Sequence, residues 1–118
     1  MQADKPPEKN LYFSQKLTRS YVEEVFKQIQ MQPDIVDIVI LNEARNPLKT
    51  TMELSAALQF CGLYEILQEK AQNSVKNIDP KDTLQMLRVR TKFHETLIVP
   101  DDLITVMVVQ NAQDKSNI

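Results

Sequence analysis

A single glycine, Gly62, a single cysteine, Cys61, a single histidine, His94, and no tryptophan limit what this 118-residue chain can do. Loops that cradle a phosphate need several backbone positions free of side chains, so one glycine excludes a P-loop and a dinucleotide-binding fingerprint. One cysteine excludes an internal disulfide. With no secretory signal ahead of it, the lone thiol fits a reducing compartment and an intracellular protein. Charge of one sign is missing too: 14 Lys plus Arg stand against 16 Asp plus Glu, and the basic residues form no run. Nucleic acid and membrane surfaces are therefore not expected among its partners.

What is present is ordinary globular material, 42% hydrophobic and 25% charged, in a length that builds one core and not two. Residues 1–13, with Pro6 and Pro7 among charged side chains, read as a disordered N-terminal tail, residues 14–111 as the domain and residues 112–118 as a polar C-terminal tail.

From about Ser14 to Gln30 the apolar residues Leu17, Tyr21, Val25 and Ile29 recur every four positions, with Val22 and Phe26 beside them. This is an amphipathic helix, and Pro33 ends it. The β-branched run from Ile35 to Leu41, interrupted only by Asp37, is too continuous for a strand with one wet face. Asn42 to Asn46 reads as a hairpin loop and Pro47 to Thr51 as a short second strand. A long helix from about Met52 to Asn77 carries two apolar stripes. One is Leu54, Leu58, Cys61 and Tyr64, the other Ala56, Phe60, Leu63 and Leu67. A helix lying on one sheet needs a single stripe, so the second either faces another chain or is wrapped by the small core itself. After Pro80 the pattern turns extended, predicting strands over Thr83 to Thr91, Phe93 to Val99 and Leu103 to Val109. The order helix, two strands, helix, three strands predicts an α+β fold: a five-stranded antiparallel sheet with helices on both faces.

Catalytic chemistry has little to work with. His94 lies near a predicted turn and reads as a solvated strand residue, and Cys61 sits on an apolar stripe beside Glu65, which would raise its pKa rather than activate it. Asp101 and Asp102 occupy a turn that supplies too few oxygens for a divalent metal. Neither an enzyme, a cofactor nor a metal is expected. Arg88 and Arg90 share one face of the third strand with Leu84 and Met86. They either protect an exposed edge by charge or meet the carboxylates of a strand that the edge recruits.

The stretch Ile78-Asp79-Pro80, the strand Leu87-Arg88-Val89-Arg90, the turn Pro100-Asp101 and the ending Val108-Val109-Gln110-Asn111 closely resemble the Roadblock family of dynein light chains. Val39 to Glu43 and Pro47 to Thr51 are similar to that family's first hairpin, so the likeness runs from about Lys16 to Asn111. The resemblance implies a non-enzymatic subunit that pairs by joining third strands, here Leu84 to Arg90, into a continuous sheet while the long helices pack side by side. The dimer interface it implies consists of Ala56, Phe60, Leu63 and Leu67 on the helix and Leu84, Met86, Arg88 and Arg90 on the strand. It further implies binding to a dynein intermediate chain in a cytoplasmic or ciliary, axonemal motor, without contact with ATP. A Roadblock-type scaffold or regulator of a small GTPase is the alternative, with Arg45 as the loop arginine.

Two departures carry expectations of their own. Arg45 and Pro33-Asp34 stand where the family has glycines, so Asn42 or Asn46 is expected to take the left-handed conformation instead. Phe60, Cys61, Gly62 and Tyr64 differ from cytoplasmic members in the middle of the helix, which shifts the expectation from a homodimer to a heterodimer with a second Roadblock light chain.

Overall fold

A computed structural model of the protein describes residues 8–112. The elements run α1 (Glu8–Gln30), β1 (Ile35–Leu41), β2 (Pro47–Thr50), α2 (Leu54–Ile78), β3 (Leu87–Arg90), β4 (His94–Pro100) and β5 (Thr105–Asn111). The strands form one antiparallel sheet in the order β2-β1-β5-β4-β3, with a helix on each face, as the element order predicts.

Alternation along β1 shows how one short strand serves both helices. Ile38 and Ile40 pack with Val22 and Phe26 of α1 and with Ile104, while Val39 and Leu41 pack with Ala57 and Cys61 of α2, Ile98 and Met107. All four of these β1 residues are buried. That is why their run is unbroken: in a strand covered on both sides, no position is left for a polar residue. β5 lies at the centre of the sheet, consistent with its apolar sequence. α1 turns Val22 and Phe26 inward, with Val25 and Ile29 half-buried beside them, and leaves Tyr21 exposed. The Tyr21 hydroxyl donates to Asp101 Oδ2 at 3.1 Å, tying α1 to the β4–β5 turn.

Three boundaries differ from the sequence reading. α1 begins at Glu8, inside the segment read as a disordered tail, because no breaker lies between Pro7 and Gln30 and proline is well tolerated at a helix start. Residues 1–7 and 113–118 lie outside the described residues. β3 is only four residues long rather than nine. The backbone N–H of Leu84 donates to Gln72 Oε1 at 2.8 Å, and Lys76 Nζ donates to Thr83 Oγ1 at 3.2 Å, so residues 83–84 are held to α2 and not to the sheet. β5 runs on to Asn111, whose N–H donates to the carbonyl of Asp34.

The left-handed positions also fall elsewhere. Asp34 (φ 69°) and Arg45 (φ 66°) adopt that conformation themselves, and neither Asn42 nor Asn46 does. In the hairpin, Arg45 N–H closes a turn onto Asn42 O at 2.9 Å, and Asn42 Oδ1 accepts from Asn46 N–H at 2.9 Å. The asparagines act as clasps, and the positive φ falls on the last residue of the turn, as in hairpins built from a type I turn and one left-handed residue.

Candidate functional site

α2 contributes few side chains to the core for its length. Ala57 and Cys61 are buried, and Phe60 and Tyr64, with ring centroids 4.6 Å apart, are half-buried against the same cluster. Leu54, Leu58, Leu63, Ile66 and Leu67 are all exposed, Leu63 by 61%. The two stripes read from the sequence are thus regrouped. The inward face takes one or two members from each, and the rest of both is left outside.

The side of α2 that looks toward β3 is identified by its bonds. At 100° per residue, Gln72 and Lys76 share a side of the helix with Leu54, Leu58 and Gly62, and both bond to the segment that leads into β3. Leu54 and Leu58 therefore lie on the side of α2 that bonds to this segment, and Gly62 and Ile66, each turned a further 40° along the same ridge, point outward from the sheet. Of the expected interface, Ala56, Phe60, Leu63 and Leu67 lie on the opposite flank. Phe60 there packs against its own core with Met52, two residues past the end of β2. A stripe tells which helix residues lie together and not which way they point.

β3 forms one edge of the sheet, pairing with β4 on one side only. Leu87 and Val89 are half-buried while Arg88 and Arg90 are exposed, the alternation expected for them. The carboxylate they meet belongs to the same chain. Arg88 Nε lies 2.9 Å from Glu95 Oε1, Arg90 Nη1 lies 4.0 Å from Glu95 Oε2, and Gln110 Nε2 donates to Glu95 Oε1 at 3.1 Å. Met86 is exposed just ahead of the strand, and Leu84 is half-buried.

On the α1 face a groove of about 400 Å³ runs beside the helix. Half-buried Ile29, Ile35, Leu97, Val99, Val106 and Val108 line it. It exists because a helix is about 10 Å wide and five strands span roughly 20 Å, so one helix cannot cover the face. The sequence reading, which covered both faces of β5, missed this opening. The two-helix count was the only signal for it.

The residues weighed for chemistry stand apart from one another. His94 is exposed at the start of β4, with Thr91 N–H donating to its carbonyl at 2.8 Å. Burial, and secondarily the charge of Glu65, pushes the Cys61 thiol up to about 11. A thiol held in that state is not a nucleophile at neutral pH. Arg45 is exposed at the hairpin tip, 3.6 Å from Glu65 Oε2.

Two comparisons bear on this arrangement. The structure is similar to the crystal structure of a Roadblock/LC7 domain from Streptomyces avermitilis, with 11% sequence identity, a TM-score of 0.63 and 70% of each chain covered, a likeness of fold. The model of the Roadblock/LC7 domain family matches residues 21–111, from the second half of α1 to the end of β5. With one helix on each face, an open β3 edge and the family's pattern over more than three-quarters of its length, the chain belongs to the Roadblock/LC7 family.

Proposed function

We propose that this protein is a non-catalytic accessory light chain of a dynein complex, which dimerises through β3 and α2 and binds a segment of the dynein intermediate chain at the motor base, in the axoneme. Roadblock/LC7 domains are non-catalytic adaptors and scaffolds that typically dimerise and bind partners, and the family includes both dynein light chains and small-GTPase regulators. The observation that carries the reading is the outward apolar row of α2 next to an unpaired strand edge, a combination that a monomer leaves in water at a cost. The groove of Leu97, Val99, Val106 and Val108, on the face away from α2, is the seat we assign to the intermediate-chain segment. Its apolar lining suits the hydrophobic side of a helix or extended segment.

The expectation of an unlike partner rested on Phe60, Cys61, Gly62 and Tyr64. Three of these four pack into the chain's own core. The divergence of those three is therefore matched inside the chain, and a second copy is the partner we favour.

Purification of the tagged protein from ciliated cells tests the assignment. Recovery of dynein heavy and intermediate chains is the expected result, and a stable monomer that recovers neither would end the reading. One observation favours a second reading, a scaffold or regulator of a small GTPase: Arg45 projects from a loop with its side chain 57% exposed. GTP turnover by candidate GTPases, unchanged by the protein, would remove that alternative.

A further inference from the structure

Gly62 is the only glycine in the chain, and it stands in the middle of a 25-residue helix, where glycine is the poorest former after proline. Nothing among the described residues requires it. Its φ is not positive, and a Cβ built on it meets no heavy atom within 4 Å. The residue is exposed, and its neighbours one turn away on either side, Leu58 and Ile66, are exposed aliphatics. Leu54, Leu58, Gly62 and Ile66 thus form one ridge of the kind by which helices interlock, with a notch where a side chain is missing.

We infer that α2 crosses the α2 of a second copy of this chain at Gly62, which makes this glycine the residue that sets how closely the two helices approach. The inference rests on the dimer proposed above and adds the point of contact. In an antiparallel pair centred on Gly62, each Leu58 lies against the second copy's Ile66, and the ridge of one helix enters the notch of the other. Charge permits this. From Leu54 to Leu67 the one ionisable carboxylate is Glu65, which is paired with Arg45, so an uncharged surface meets its own image without like charges opposed. The area is also sufficient. Leu54, Leu58, Ile66 and Met86, each about half exposed, offer roughly 400 Å² per copy, and about 800 Å² for two copies plus the β3 join reaches the range of specific interfaces.

Gly62→Ala and Gly62→Leu separate this role from an ordinary structural one. Sedimentation equilibrium measures self-association, and thermal unfolding at concentrations below the dimer range measures the monomer. The alanine variant should melt above the wild type, because it is the better helix former and its Cβ enters open space, while its dimer weakens about threefold to tenfold. The leucine variant should fold as well as the wild type and weaken the dimer by more than tenfold. Wild-type affinity in both variants would overturn the crossing point while leaving the proposed dimer standing. A wild-type chain that stays monomeric to millimolar concentration would overturn the dimer reading and this inference with it.

Discussion

Arg45 holds a backbone conformation that costs most side chains 1–2 kcal/mol, and the bond from its N–H to Asn42 O fixes it there. Glycine would relieve the strain and lose only an exposed, 3.6 Å pairing with Glu65. Arg45→Gly is therefore expected to stabilise the fold by about 1 kcal/mol after glycine's own entropy is counted, read as a higher midpoint in urea. Asp34 has the same geometry, but aspartate tolerates it better, so Asp34→Gly should gain less. Cys61 offers a second test at this scale. Folding raises its pKa from the ordinary 9.0 to about 11, first through burial, so the folded state favours the neutral thiol. The stability this contributes is fully present below about pH 9 and is lost as pH rises through 11. The unfolding midpoint of the wild type should fall over that window more steeply than that of Cys61→Ala, and equal slopes would refute the assignment.

At the scale of the element, α2 is a helix whose two sides do different work. Leu58 and Leu63 are exposed to a similar degree, at 51% and 61%, yet only Leu58 lies on the side facing β3. Leu58→Asp should therefore weaken self-association by tenfold or more, whereas Leu63→Asp should leave it within about twofold, with the fold intact in both because neither side chain is in the core. Light scattering over a dilution series distinguishes the two outcomes. Equal effects would mean that the helices pair across a broader face than proposed. The spacing of the leucines is legible in the sequence; their direction is not, because Ala57 and Cys61, small and unremarkable in the pattern, are the residues that turn inward. β3 shows the same limit. Its Leu-Arg-Val-Arg alternation was readable, but its length was set by Gln72 and Lys76, one element back, which hold the preceding residues against α2.

At the scale of the molecule, one helix per face leaves the α1 side of β4 and β5 open, and this opening is where the proposed partner segment lies. Val108 is half-buried in its floor, level with Leu97 on the neighbouring strand. Val108→Asp should abolish capture of intermediate chain in a pull-down while leaving self-association unchanged, since the groove and the α2 ridge are on opposite faces of the sheet. Circular dichroism guards against a trivial result from unfolding. Retained capture would move the partner's seat elsewhere.

The amino-acid order by itself determined the sequence of elements, the doubly covered β1, the exposed arginines of β3 and the absence of a glycine-built phosphate loop. Each follows from periodicity or composition, which are local properties of the chain. The strand order β2-β1-β5-β4-β3, the groove, the flank of α2 that bonds to the segment leading into β3 and the left-handed Asp34 were decided only by tertiary structure. These depend on which surfaces meet across the sheet and on turns closed by hydrogen bonds between distant atoms. A one-dimensional pattern carries no direction for such contacts.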